Sequence, residues 1–140
     1  MQGQLFASTY ALQLHDMPPA QVNLDALLRE DMDRFSHYTF VDGDRMYASF
    51  THLTGYASNY YTYVLDKVIA LDFFAQFDAQ NLLDGPAGMR YRQAVLAPGG
   101  SKPAEQLVRD FLGRDTNLDA YRGWMLAEFA TDATASSSAH

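Results

Sequence analysis

Apolar residues recur at helical spacing along most of this 140-residue chain, and proline and glycine residues divide the pattern into segments. A period near 3.6 residues predicts helices that each bury one face, whereas strands would show strict alternation. Proline cannot continue a helix and glycine commonly ends one, so these residues mark helix boundaries. The clearest boundaries are Pro18-Pro19, Asp84-Gly85-Pro86, Pro98-Gly99-Gly100 and Gly113. We therefore predict an all-α fold of about six helices with almost no strand.

The longest apolar pattern begins near Ser58 and runs to about Phe77. Its apolar residues lie on nearly all faces of the predicted helix, which is typical of a helix at the centre of a domain. The length and composition predict one helical domain over residues 1–130. Residues 131–140 are small and polar and lack an apolar period, so we predict a disordered tail there.

The second predicted helix begins after Asn23, whose side chain can cap the first turn. Its acidic residues alternate with arginines, which is typical of a helix face that points into water. We therefore expect all three acidic residues of this cluster to be solvated. They are Glu30, Asp31 and Asp33.

Charge and composition exclude several classes of partner and site. The formal net charge is −7, so the chain should repel the phosphates of nucleic acids and of anionic membranes. No stretch approaches the roughly 18 apolar residues that a membrane-spanning helix needs. The chain has no cysteine, which excludes disulfides and thiolate metal sites and agrees with the cytoplasmic location that we predict. We expect neither nucleic acid nor membrane as a partner.

A histidine, a glycine and four tyrosines fall within residues 52–63. A hydrophobic core rarely uses so many phenols, because each buried hydroxyl needs a hydrogen-bond partner. At 100° per residue, Tyr56, Tyr60, Tyr63 and Lys67 fall on one face of a helix. The opposite face carries Tyr61, Leu65 and Val68. We therefore predict that one face presents phenols while the other packs.

These residue types can stabilise a developing negative charge. A neutral phenol in a dry cleft donates a hydrogen bond to an oxyanion, and His52 can donate from the preceding loop. Gly55 lets a loop approach and close over a ligand. A plainer interpretation is that Gly55 allows a turn, His52 lies at the surface and the tyrosine hydroxyls contact water. A third interpretation places all the aromatic side chains in a core, with their hydroxyls bonded to protein.

The succession of segments along the chain resembles the M3 family of zinc oligopeptidases, the group of thimet oligopeptidase and oligopeptidase A. One matching segment runs from Ser49 through His52 and Gly55 to Tyr63, and the ordered succession of segments is more specific than any one of them. Phe6–His15 resembles the family helix that follows the zinc region. Further matching segments are Asp72-Phe73-Phe74, Tyr91-Arg92, Leu96–Ser101 and Phe111–Arg114. The resemblance covers nearly everything before the tail.

The resemblance implies an enzyme that hydrolyses short peptides. In the family, the histidine and tyrosines of this loop and helix donate hydrogen bonds to the scissile carbonyl as it becomes a tetrahedral oxyanion. Carried over by position, this assigns His52, Tyr56 and Tyr63 to catalysis. It assigns Gly55 and Tyr60 to substrate binding.

The zinc-binding motif of the family does not occur in this sequence. No His-Glu-x-x-His is present, although that motif supplies two zinc ligands and the general base. We therefore expect this chain to bind no metal and to be inactive alone, as the substrate-side, C-terminal part of a larger helical metallopeptidase that holds zinc. Its expected partners are the zinc-bearing catalytic part of the parent chain and short peptide substrates. The alternative is a stand-alone helical module that binds peptides or a protein without catalysis.

Overall fold

The computed structural model describes residues 2–136, with side chains described as far as Glu128. Over these residues the chain forms helices and no strand, which confirms the all-α prediction. The helices are α1 (Gln2–Asp16), α2 (Leu24–Phe35), α3 (Met46–Ser49), α4 (His52–Gly55), α5 (Thr62–Phe74), α6 (Gly85–Tyr91), α7 (Ala104–Leu112) and α8 (Asp119–Ser136). Helices α3 and α4 have four residues each, and the other six correspond to the six predicted helices.

The helix ends follow local sequence signals. The Asn23 side chain caps α2 by accepting a hydrogen bond of 3.0 Å from the Ala26 amide. Asp84 caps α6 in the same way, at 3.3 Å from the Ala87 amide. Gly113 ends α7 with φ +71°, a left-handed conformation that favours glycine. These boundaries lie where proline, glycine and capping residues predict them.

Contacts group the chain into two compact units, one through Leu65 and one from Asp66 on, where the length predicts one domain. In the first unit, α1 packs against α2 and against a 3-10 turn at Ala57–Tyr61. Tyr10 and Leu28 are fully buried at the centre of its core. This core holds the segment that carries the predicted site residues.

The second unit is built around aromatic rings and a buried carboxylate. The rings of Phe73, Tyr91 and Phe111 pack edge to face, with centroids 5.0 Å apart for the pair Phe73 and Phe111. Asp72 of α5 is buried and accepts two hydrogen bonds from the Arg114 guanidinium, at 2.6 and 2.9 Å. These bonds tie the connection between α7 and α8 to α5.

Helix α5 is less buried than its composition predicts. Within it only Val68 and Asp72 are buried, while Leu65 is 44% exposed and Phe74 is 54% exposed. On the face that we expect to pack, Tyr61 is exposed as well. The described residues cover one side of α5 only, so the prediction of a central helix is wrong as far as the described residues show.

The acidic face of α2 is also not wholly solvated. Glu30 and Asp33 are exposed, but Asp31 is buried, and neither of its carboxylate oxygens has a hydrogen-bond partner among the described residues. Burial and the neighbouring Glu30 raise the pKa of Asp31, while Arg34 lowers it. The prediction of a fully solvated cluster is wrong at this residue, because the face of α2 that packs extends further than its apolar residues indicate.

Helical structure extends further toward the end of the chain than the sequence predicts. Helix α8 continues to Ser136, into the segment predicted as disordered, and residues 137–140 lie outside the described residues. None of the helices described is long and apolar enough to cross a membrane.

Candidate active site

Residues 50–63 form a continuous segment of the first unit that contains every predicted site residue. The short helix α4 (His52–Gly55) comes first, the 3-10 turn Ala57–Tyr61 follows, and α5 begins at Thr62. The helix predicted from Ser58 is therefore replaced in its first turn by 3-10 geometry, which is tighter than an α-helix.

The rings of the predicted site residues come together around His52. The imidazole is stacked on Tyr56, with ring centroids 5.7 Å apart and 26° between the ring planes. Tyr60 and Tyr63 meet the imidazole edge to face, at centroid distances of 5.2 and 6.0 Å. The rings of Tyr60 and Tyr63 lie 4.9 Å apart. We call His52, Tyr56, Tyr60 and Tyr63 the ring cluster.

The ring cluster is open to water on one side. Tyr56 is 48% exposed and Tyr63 is 40% exposed, while His52 and Tyr60 are half-buried. The hydroxyls of Tyr56 and Tyr60 make no hydrogen bond with any residue that the structure describes. For these two tyrosines, the interpretation in which every phenol is bonded to protein in a core is excluded. Both hydroxyls are available to a ligand.

Phe50 supports the ring cluster and was not predicted from the sequence. Its ring centroid lies 5.4 Å from that of His52 and 5.0 Å from that of Tyr60. The same side chain packs against the core around Tyr10 and Leu28. Phe50 thus connects the ring cluster to the core of the first unit. The helices on either side of Phe50 are too short for an apolar period, so no sequence pattern indicates this contact.

The unusual backbone conformation lies at Ala57, although glycine is expected to provide it at Gly55. Gly55 is not among the residues with positive φ, and a Cβ added there would meet no atom within 4 Å. Ala57 has φ +49° and is the only non-glycine residue with positive φ in the described chain. This left-handed region is sterically costly for a residue with a Cβ. The sequence carries no signal for it, because alanine is not a typical turn residue.

Comparison with known proteins identifies the family of this chain. Residues 1–125 match the family model described as "Peptidase family M3". The chain belongs to peptidase family M3. This match covers most of the chain and includes the whole ring cluster.

Three relatives illustrate how far the similarity of this M3 chain extends. It is 26% identical to human mitochondrial intermediate peptidase over 132 residues, which are 94% of the chain and 18% of that protein. It is 36% identical to a thimet-like oligopeptidase of Dictyostelium discoideum, over 52% of the chain and 11% of that protein. It is 33% identical to oligopeptidase A of Haemophilus influenzae, over 57% of the chain and 12% of that protein. The M3 chain therefore spans less than a fifth of the length of these relatives.

The described part of the M3 chain does not fit a zinc site. No group of three or more His, Asp or Glu side chains over these residues could hold a metal ion. His15 hydrogen bonds through Nδ1 to the Ala11 carbonyl oxygen at 2.7 Å, and His52 is surrounded by aromatic rings. A tetrahedral site needs three or four convergent donors, which these residues do not supply.

Proposed function

We propose that this chain is the substrate-side part of a zinc oligopeptidase that hydrolyses short peptides. His52, Tyr56 and Tyr63 stabilise the transition state, while Gly55 and Tyr60 contact the substrate. Zinc and its ligands belong to the catalytic part of the parent chain, which lies outside these 140 residues. The observation that carries the proposal is the ring cluster, half-open to water, in a chain of peptidase family M3.

The ring cluster suits the stabilisation of an oxyanion. Attack on a peptide carbonyl places negative charge on its oxygen, and donors fixed in advance around that oxygen lower the barrier most effectively. A phenol donates a hydrogen bond without carrying a charge of its own. Contacts between the rings restrict His52, Tyr56 and Tyr63, so little reorientation is needed when the substrate binds.

Substrate binding is assigned to two residues beside these donors. Open space around Gly55 lets a peptide backbone approach α4 closely. Tyr60 is held between Phe50 and His52, and its hydroxyl has no partner in the described residues. This arrangement supports a contact between the Tyr60 hydroxyl and a bound peptide.

The zinc-bearing part of the parent chain is the proposed protein partner. Leu65 and Phe74 are exposed apolar side chains of α5 that another part of a larger enzyme can cover. The relatives are named as peptidases or oligopeptidases and are more than five times longer than the matching region. Cytoplasmic location stays a prediction, since the names of some relatives refer to mitochondria.

A Tyr63→Phe variant of the full-length parent enzyme tests the proposed function. Loss of one oxyanion donor typically lowers kcat by roughly 100-fold to 1,000-fold, about 2.7–4 kcal/mol, so we expect that loss with little change in KM. Tyr61→Phe is the matched control, because Tyr61 is also exposed and makes no ring contact with His52 in the described structure. Steady-state kinetics on a short peptide measures both variants.

Two results would contradict the proposal. Full kcat in Tyr63→Phe would remove that residue from catalysis, and an equal loss in Tyr61→Phe would show a nonspecific effect. A full-length protein that has no zinc-bearing part and binds peptides without hydrolysing them would instead favour the stand-alone binding module.

A further inference from the structure

Ala57 lies between two members of the ring cluster. Tyr56, which precedes it, is stacked on His52, and the 3-10 turn that follows it carries Tyr60. Ala57 itself has φ +49°, in the left-handed region. A residue with a Cβ adopts that region only where the surrounding structure requires it.

A continuous helix would not assemble the ring cluster. Each residue of an α-helix advances about 1.5 Å along the axis, so Tyr63 would lie about 16 Å beyond His52. The observed distance between their ring centroids is 6.0 Å. The chain must therefore fold back between His52 and Tyr63. The only residue of this segment with positive φ is Ala57.

We propose that Ala57 is a positioning residue of the candidate site: its left-handed backbone folds the chain back so that Tyr60 and Tyr63 reach the imidazole on which Tyr56 is stacked. Its importance for catalysis rests on the proposed function, but its effect on ring geometry does not. Glycine in place of Ala57 would adopt the same backbone conformation more easily. A side chain that is branched at Cβ, such as that of valine, would disfavour that conformation.

Substitutions at position 57 with opposite effects on strain test this proposal in the 140-residue chain. Ala57→Gly should leave the His52 ring-proton resonances in place and raise Tm by about 3–5 °C, because the steric penalty is relieved. Ala57→Val should move those resonances toward the positions of a histidine without stacked neighbours and should lower Tm. NMR spectra of the His52 ring and thermal unfolding followed by circular dichroism measure the two effects.

Ala48→Val is the matched control, since Ala48 is exposed in α3 and has an ordinary helical backbone. It should leave the His52 resonances unchanged. If Ala57→Val does not fold, Ala57→Asn replaces it, because asparagine enters the left-handed region more readily than alanine. Ala57→Asn should then keep the His52 resonances and raise Tm less than Ala57→Gly does.

The outcomes separate this proposal from the proposed function. Unchanged His52 resonances in Ala57→Val, or a lower Tm in Ala57→Gly, would overturn the positioning role whatever the activity. If the resonances move in Ala57→Val while the parent enzyme carrying it keeps full kcat, the positioning role holds and the catalytic role of the ring cluster fails. If both proposals hold, that variant should lose more than about tenfold in kcat, since small displacements of catalytic groups have large effects.

Discussion

Two carboxylates are buried to the same degree, one in each unit, and their surroundings differ. Asp31 and Asp72 are each 1% exposed. Asp72 accepts four hydrogen bonds, two from Arg114 and one each from the Thr116 hydroxyl and the Asn117 amide. Neither oxygen of Asp31 accepts any within the described residues. Hydrogen bonds from Arg114 lower the pKa of Asp72 despite its burial, whereas burial raises the pKa of Asp31.

This difference shows that burial alone does not decide what a carboxylate contributes to stability. Removing a charge from water is unfavourable, and only partners with good geometry compensate for it. Arg114 provides two parallel hydrogen bonds to Asp72, an arrangement that is strong and directional. We infer that Asp72 stabilises its unit and that ionised Asp31 destabilises its own. The same substitution at the two positions should therefore have opposite effects.

Asp72→Asn should produce the largest change. The amide keeps the shape of the side chain but loses the charge and faces the Arg114 guanidinium with donors, so we expect a loss of about 3 kcal/mol in the free energy of unfolding. Urea denaturation at pH 7 measures it. Asp115→Asn is the control, because the Asp115 side chain is 76% exposed. Equal losses in the two variants would show that the hydrogen bonds of Asp72 contribute no more than a surface contact.

Asp31→Asn should have a smaller effect of opposite sign. It removes a buried charge that has no hydrogen-bond partner among the described residues but leaves a buried polar group, so we expect a gain of about 1 kcal/mol at pH 7. The control is Asp33→Asn, which neutralises an exposed aspartate on the same helix and should change stability little. A loss of stability in Asp31→Asn would mean that the carboxylate has a favourable partner, and the contrast with Asp72 would disappear.

The pH dependence of the free energy of unfolding should show the smallest differences between the wild type and the two variants. A raised pKa in the folded state means that the stability associated with Asp31 is complete below the unfolded pKa, about 3.9, and is lost as the pH rises through the folded pKa. The gain from Asp31→Asn should therefore shrink as the pH falls from 7 to 4. Asp72 behaves oppositely: its contribution persists above the unfolded pKa and is lost as the pH falls through the lowered folded value.

Urea midpoints at pH 7, 5, 4 and 3 for the wild type and both variants test these directions. The wild type and Asp72→Asn should converge only below about pH 4, where the unfolded carboxyl is protonated. A gain from Asp31→Asn that grew as the pH fell would have the opposite sign to the one expected and would contradict a raised pKa for Asp31.

Most of the fold was predictable because its boundaries are local. Proline and glycine end helices through their own backbone chemistry, and Asn23 caps α2 with a side chain three residues from the amide it contacts. The burial of α5 was not predictable. An apolar helix indicates that other residues must pack against it, but it does not indicate which residues do so. The burial of Asp31 was not predictable for a related reason. The alternation of charges along α2 predicts solvent exposure, but it does not reveal how closely α1 packs against α2.

The candidate site was predictable in its membership but not in its geometry. Residue spacing groups Tyr56, Tyr60 and Tyr63 on one face, and the structure brings their rings together with that of His52. A regular helix was the wrong backbone for this grouping, because the fold-back at Ala57 has no residue signal. Catalytic and binding roles for these residues stay predictions.

The single tryptophan of the chain gives the second unit an optical signal that the first unit lacks. Trp124 lies with the centre of its ring 4.6 Å from the Lys67 ammonium nitrogen, so its surroundings change when α8 separates from α5. Indole fluorescence consequently follows the second unit, while far-ultraviolet circular dichroism follows the helices of both. An unfolding curve recorded by indole fluorescence alone would therefore miss any separate melting of the unit that holds the ring cluster.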